Sequence, residues 1–284
     1  MNAFYAALLG LIQGLTEFLP ISSTAHLTLA GKLLGLIDSS QPEAWTAFMA
    51  VMQLGTLVAV MLYFRHEIVA LTRGFLGDLF TWGHGGGFKG FSEDGKMATY
   101  IFIGTLPVAA IGYGFKHVIE GSLTKTTIVI AASLVALAVL LWIAEKVASR
   151  TRELKNVGWV DALVIGFAQA CALIPGSSRS GTTITAALFL GFARPAAARF
   201  SFLLSIPAVF ASGVYEMTKI HGDVFVLGIG NLVIATVVAG ISGYAAIAWP
   251  LRYLMKNTTM LFVWHRLLLG FGLTLLLLLG ILQN

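Results

Sequence analysis

The sequence predicts an all-α polytopic membrane protein with an inverted-topology repeat. Three observations predict this fold: the composition is strongly apolar, six stretches are long enough to cross a bilayer, and two further apolar regions are interrupted by Pro-x-Ser-Ser. Each half then contains one re-entrant broken-helix hairpin plus three transmembrane helices. We expect a single membrane domain, residues 1–284, with repeat 1 at about 1–155 and repeat 2 at about 156–284.

The composition excludes an ordinary soluble domain. Hydrophobic residues make up 57% of the 284 residues and charged residues 11%, and the mean hydropathy is +0.86, whereas soluble domains have about 25% charged residues. The net charge of +5 fits basic loops facing the cytoplasm better than a nucleic-acid partner. The single cysteine, Cys171, excludes an intrachain disulfide. No basic segment precedes the first apolar stretch, so residues 1–19 are expected to remain in the mature protein.

The predicted spans follow from the need for about 20 apolar residues per crossing. The fourth is short and is expected to extend into its flanks. The six stretches are 46–64, 98–115, 126–144, 200–215, 224–249 and 260–282.

Two apolar regions, 3–37 and 162–193, are each split near the middle. Proline removes a backbone donor and breaks a helix, and the serines that follow are good N-caps for the next helix. Each region therefore predicts two short helices that enter and leave the membrane on the same side, which lipid tolerates only where protein or a wet cavity surrounds the turn. The N-cap candidates are Ser22, Ser23, Ser177 and Ser178.

The loop charges test this arrangement. Loops 65–97, 145–161, 194–199 and 252–257 hold twelve Lys and Arg residues, and the opposite loops 38–45, 116–125 and 216–223 hold three. The richer side should be cytoplasmic. Because each half has three spans, the second half is inverted relative to the first. The first hairpin then opens outward and the second inward, so their turns should meet near the midplane.

Glu17 and Arg179 lie within these broken helices, whereas nearly all other charged residues fall in loops or at span ends. A charge within the membrane is by default a functional hypothesis with a partner to be named. The alternative is a plain ion pair that joins the two hairpins.

Gln13 and Glu17 lie four residues apart and so share a helix face. Their oxygens suit Mg²⁺ or Ca²⁺, with phosphate oxygens and water completing the shell. Alternatively, they orient a water or a histidine, or Gln13 makes a helix–helix hydrogen bond.

His26 follows Ser22 by four residues and Ser23 by three, so one of these hydroxyls can share its face. Two roles are open for it: a base for a serine or water nucleophile, or an acid for a leaving phosphate. The alternative is a histidine that only packs.

The second hairpin carries PGSSRSGTT, residues 175–183. Backbone N–H groups and the helix dipole favour an anion at this helix start, and the fork of Arg179 suits a phosphate. Ser178, Ser180 and Thr183 add donors; the alternative is a polar packing turn.

Elsewhere, Gln53 is a candidate lining residue, and Arg266 is expected to snorkel to the interface rather than to reach a phosphate.

These motifs resemble the undecaprenyl-diphosphate phosphatase, or bacitracin-resistance, protein family. QGLTE, Gln13 to Glu17, is similar to its (Glu/Gln)-x-x-x-Glu motif, and PGSSRSGTT to its Pro-Gly-x-Ser-Arg-Ser-x-x-Thr motif. FLPISSTAH, MQLGT and FSFLLSIPA also resemble the family, so the resemblance covers essentially the whole chain. The first motif position is often Glu in the family and is Gln13 here, which keeps an oxygen but loses a charge.

The resemblance implies an enzyme that hydrolyses undecaprenyl diphosphate to undecaprenyl phosphate plus phosphate, recycling the cell-wall lipid carrier and conferring bacitracin resistance. It implies a divalent cation, a polyprenyl diphosphate partner in the bilayer, and a site open to the periplasmic face of the inner membrane; a homodimer is left open. We assign catalysis to Glu17, Ser23, His26 and Arg179, substrate binding to Ser22, Gln53, Ser178, Ser180 and Thr183, and the metal to Gln13 and Glu17.

We expect Ser23 or a water to attack the terminal phosphorus with His26 as base, while Glu17 orients His26 or binds the metal. The rival function is a polyprenyl-phosphate transporter or flippase, because inverted repeats with broken helices are common in transporters. A transporter needs only an anion site. The serine, imidazole and carboxylate therefore favour phosphatase chemistry.

Overall fold

The computed structural model describes residues 1–37, 42–81, 87–115, 126–218 and 228–282. Over these ranges the chain is helical, apart from turns and an isolated bridge between Arg152 and Phe192, which confirms the all-α prediction. The helices are α1 Ala3–Glu17, α2 Ser23–Leu33, α3 Pro42–Tyr63, α4 Arg65–Thr81, α5 Glu93–Gly114, α6 Thr127–Val147, α7 Trp159–Ala170, α8 Arg179–Phe189, α9 Arg194–Thr218, α10 Ile229–Lys256 and α11 Met260–Leu278.

Six helices are long and apolar enough to cross a membrane: α3, α5, α6, α9, α10 and α11. They overlap the six predicted stretches. Helix α10 continues to Lys256, so the segment 252–257, which was predicted to be a loop, is helical over most of its length. The fourth does extend into its flanks, since α9 runs from Arg194 to Thr218. The predicted residues 224–227 and the loop 116–125, together with parts of the loops 38–45 and 216–223, lie outside the described residues.

Helix α4 occupies the first part of 65–97, which the sequence analysis treated as one loop. Its charged residues kept this segment below the hydropathy of a span, yet it is helical and packs along α5. Asp78 accepts hydrogen bonds from the backbone N–H and the hydroxyl of Ser92, at 2.9 and 2.8 Å. These contacts fix α4 to the start of α5.

Both interrupted regions form two short helices, α1 with α2 and α7 with α8. Ser22 caps α2 by accepting from the N–H of Ala25, and Ser178 caps α8 by accepting from the N–H of Gly181. Their φ angles are 73° and 67°, in a region that side-chain-bearing residues rarely adopt. Such strain is characteristic of functional sites.

A constant shift of 156 residues relates the two broken regions. It superposes α2 on α8, Ser22 on Ser178, and Gly35 on Gly191, the two glycines with positive φ that follow these helices. The Pro-x-Ser-Ser motifs alone would match Ser22 with Ser177, one residue off. In the structural register the first residue of the second helix is Ser23 in one region and Arg179 in the other.

The longer arms of the two regions also pack in corresponding ways, α1 against α10 and α7 against α5. A Cβ at Gly10 would lie 2.3 Å from the carbonyl oxygen of Ala235, and one at Gly166 would lie 2.2 Å from that of Gly104. Gly10 and Gly166 are again 156 residues apart. Close backbone approach through small residues is typical of helix packing in membranes, and here it occurs between α1 and α10 and between α7 and α5.

Candidate active site

The two turns are joined by Arg266 of α11, whose side chain is fully buried. Its guanidinium donates to the carbonyl oxygens of Pro20, at 3.2 Å, and of Gly176 and Ser177, both at 3.1 Å. Pro20 and Gly176 correspond under the 156-residue shift. The expectation that Arg266 snorkels to the interface was wrong, because the free carbonyls of two broken helices satisfy its donors inside the protein.

Glu17, the last residue of α1, is the centre of the site. Its Oε2 accepts from Nε2 of Gln13 at 2.8 Å and from the hydroxyl of Ser23 at 2.7 Å. Its Oε1 accepts from the guanidinium of Arg179 across the two turns. The side chain is only 4% exposed. This carboxylate therefore links both hairpins and contacts the hydroxyl at the start of α2.

Arg179, the first residue of α8, forms an ion pair with Glu17 and donates to the carbonyl of Ser205 in α9 at 3.2 Å. The expected pair between the two buried charges is present. Charge-assisted bonds of this kind are short and strong. The pair also borders a cavity.

The cavity has a volume of about 160 Å³ and lies between both turns, α3, α5 and α9. Five predicted site residues line it: Glu17, Ser23, Gln53, Ser178 and Arg179. The other polar lining residues are Thr24, Gln169 and Ser212. The lining therefore combines polar and charged side chains with glycine and aliphatic residues.

The other five predicted site residues do not line this cavity. Gln13 and His26 are two of them, and the remaining three have hydroxyls that bind within the protein. Ser22 caps α2, and Ser180 donates to the carbonyl of Leu19 at 2.8 Å, which links the second turn to the first. Thr183 lies 2.6 Å from the hydroxyl of Ser201. In this structure these residues fix the positions of the turns.

His26 lies on another side of the first turn and is not a lining residue of the cavity. Its Nδ1 lies 2.7 Å from the carbonyl oxygen of Ser22, and its Nε2 lies 2.9 Å from Nε2 of His265 in α11. Ser23 donates to Glu17 rather than to His26. The geometry thus favours the carboxylate as the proton acceptor for Ser23, where the sequence analysis expected the imidazole.

The donors around Glu17 are compatible with a hard divalent cation. Oε1 of Gln13 is buried and has no hydrogen-bond partner among the described residues. It belongs to the amide that contacts Glu17, and amide and carboxylate oxygens are ligands that Mg²⁺ and Ca²⁺ accept. Across the described ranges, no group of three His, Cys, Asp or Glu residues is close enough for a metal. A cation here would therefore need phosphate oxygens and water.

Sequence reasoning did not single out Gln169, His265 or the structural role of Arg266. Gln169 was visible, because Gly166-x-x-Gln169 repeats Gly10-x-x-Gln13. His265 and Arg266 had no comparable signal, because they come from the last span, more than 230 residues from the first turn that they contact.

Comparison with known proteins identifies the family to which the chain is similar. The family model described as bacitracin resistance protein BacA matches residues 6–272. An undecaprenyl-diphosphatase of Syntrophobacter fumaroxidans is 52% identical over 271 residues, covering 95% of both chains. Undecaprenyl-diphosphatases of Chloroherpeton thalassium and Chlorobium limicola are each 46% identical over 292 residues, covering 100% and 99% of this chain and 99% of each relative.

Proposed function

The chain belongs to the bacitracin resistance protein family, and on that premise we propose that it is a membrane phosphatase acting on undecaprenyl diphosphate. The products are undecaprenyl phosphate and inorganic phosphate. The reaction returns the lipid carrier of cell-wall synthesis to its monophosphate form and thereby counters bacitracin.

The contact between Ser23, Glu17 and Arg179 at the cavity carries the proposal. A hydroxyl bound to a carboxylate is a nucleophile with its base in place. An adjacent guanidinium compensates phosphate charge in the transition state. A transporter requires an anion-binding site, but it does not require a hydroxyl that is hydrogen-bonded to a base.

The proposed reaction has two steps. The hydroxyl oxygen of Ser23 attacks the terminal phosphorus, its proton passes to Glu17, and the bond from phosphorus to the bridging oxygen breaks to release undecaprenyl phosphate. Glu17 gives this proton to the bridging oxygen of the leaving undecaprenyl phosphate and is then a carboxylate again. Water attacks the phosphoserine and Glu17 accepts a proton from it. Glu17 donates this proton to the Oγ of Ser23 as the bond from phosphorus to the serine breaks, which releases phosphate and restores Ser23. Arg179 and the N–H groups at the start of α8 face the phosphate during both steps.

A divalent cation, Mg²⁺ or Ca²⁺, fits this scheme. Gln13 and Glu17 would bind it, and when bound it would reduce the negative charge of the diphosphate. The unpartnered Oε1 of Gln13 supports this placement. Every residue in the scheme belongs to one chain, so the chemistry does not depend on a homodimer.

The proposed topology is an inverted repeat of two re-entrant hairpins in the bacterial inner membrane, with the site open to the periplasm. The 156-residue correspondence and the loop charges support it. Cysteines at Leu33 and Glu153, in a Cys171→Ser background, test the orientation. An impermeant maleimide should label position 33 in intact spheroplasts and position 153 only after lysis. The reverse pattern would overturn the orientation.

The activity itself is tested with purified protein in detergent, undecaprenyl diphosphate and Mg²⁺, without a membrane gradient. We expect phosphate release, and the Arg179→Lys variant should be slower by about 10²-fold, because lysine lacks the planar fork. Absence of release by the wild-type protein with cation supplied would contradict the proposal and favour the transporter.

A further inference from the structure

Gln169, near the end of α7, has a buried amide without a partner. Its side chain is 1% exposed, and neither Nε2 nor Oε1 makes a hydrogen bond within the described part of the chain. Both are strong hydrogen-bonding groups, and burying them unpaired is unfavourable. Each such group in a native protein calls for an explanation.

Divergence between the two broken helices explains why the amide is free. Gln169 corresponds to Gln13 under the 156-residue shift, and position 173 corresponds to position 17. Gln13 donates to the carboxylate of Glu17 four residues on. The residue four positions after Gln169 is Leu173, whose aliphatic side chain accepts nothing. The first helix thus supplies its glutamine with a partner, and the second does not.

The surroundings of Gln169 favour an anionic partner. It lines the same cavity as Ser178 and Arg179. These are respectively a helix cap and a guanidinium at the start of α8, where backbone N–H groups favour anions. An amide N–H next to such groups is a donor for an anionic oxygen.

We propose that Gln169 is a substrate-positioning residue that donates from Nε2 to a phosphate oxygen of the diphosphate in this cavity. The inference rests on the proposed function, because that function supplies the phosphate. Gln169 takes no part in proton transfer. Its loss should therefore weaken binding more than turnover.

The test compares Gln169→Leu with Thr236→Val. Thr236 also has a buried hydroxyl with no hydrogen-bond partner among the residues that the structure describes, but it lies on α10 and does not line the cavity. Gln169→Leu should raise KM at least tenfold, about 1.4 kcal/mol, with kcat changed less than threefold. Its melting temperature should not fall, since an unpaired buried amide is removed. Thr236→Val should leave KM unchanged.

A second readout measures binding without catalysis. A prenyl methylene-bisphosphonate, which cannot be hydrolysed, should raise the melting temperature of the wild-type protein more than that of Gln169→Leu. Should Gln169→Leu fold poorly, Gln169→Met keeps the unbranched shape and should show the same weakened binding. Wild-type KM and wild-type analogue stabilisation in either folded variant would overturn the role of Gln169.

The two proposals fail differently. Suppose that the analogue raises the melting temperature of the wild-type protein more than that of Gln169→Leu, but the wild-type protein releases no phosphate. The proposed function then fails and the inference stands. If it hydrolyses the substrate and the variants match it, the inference alone fails. If the wild-type protein neither binds the analogue nor releases phosphate, both are overturned.

Discussion

The hydroxyl of Ser23 donates to Oε2 of Glu17 over 2.7 Å, although the two residues lie on either side of a helix break. The break is what allows the contact, because a continuous helix would place residues six apart on different faces. The same carboxylate also contacts Arg179 from the second turn. The proposed nucleophile, base and phosphate-binding guanidinium thus meet at a point to which both turns contribute.

Glu17→Gln should lower kcat by about 10³-fold, because the amide cannot accept the proton of Ser23. Phosphate release from undecaprenyl diphosphate measures it. Glu145→Gln is the matched control, since Glu145 is a buried carboxylate that contacts Arg194 and Thr259 away from the cavity. The control should melt at a lower temperature but keep its turnover per folded molecule. Equal losses in both variants would count against Glu17 as the base.

Ser23→Ala should reduce phosphate release by about 10³-fold or more if the serine is the nucleophile. The test uses substrate that carries a radiolabel in its terminal phosphate. Wild-type protein quenched with acid during turnover should retain this label as phosphoserine, and Ser23→Ala should retain none. Substantial activity in Ser23→Ala, together with no label on the wild-type protein, would identify water as the nucleophile.

His26 gives a prediction that separates positioning from proton transfer. His26→Ala should lower kcat by about tenfold or more, because the contact with the Ser22 carbonyl is lost. His26→Asn can still donate to that carbonyl, so it should recover much of the activity. If His26→Asn is as inactive as His26→Ala, the imidazole acts as an acid or base, as the sequence analysis expected.

Gln13→Glu should strengthen cation binding, because a second carboxylate replaces the neutral amide oxygen. The Mg²⁺ concentration for half-maximal activity should fall by roughly tenfold. A chelator should inactivate both proteins, and Mg²⁺ or Ca²⁺ should restore them. An unchanged cation requirement in Gln13→Glu would remove Gln13 from the ligand set.

Arg266→Met should destabilise the protein by about 3 kcal/mol or more, because the carbonyls of Pro20, Gly176 and Ser177 lose their buried donor. The melting temperature in detergent measures this. Leu268→Ala on the same helix is the control, since Leu268 is 74% exposed. A melting temperature like that of the control would show that Arg266 does not hold the turns together.

Much of the fold was readable from the sequence because it depends on local properties. Hydropathy over about 20 residues indicated the six long helices, and prolines followed by serines indicated the two breaks. Helix α4 was missed because its charged residues lower the hydropathy of the segment, and the prediction of helices relied on hydropathy. The structural correspondence between the two broken regions differs by one residue from the alignment of their Pro-x-Ser-Ser motifs. The reason is that α2 is capped by the first serine of its motif, Ser22, whereas α8 is capped by the second serine of its motif, Ser178.

The sequence by itself determined which residue types lie at the two breaks, and therefore that Glu17, Ser23 and Arg179 are candidates for one site. Only the tertiary structure decided their partners: Ser23 contacts Glu17, His26 contacts His265, and Arg266 binds both turns. The physical reason is that hydropathy and capping act within one segment. Hydrogen bonds across the turns depend instead on how separate helices pack, and in particular on the close approach at Gly10 and Gly166.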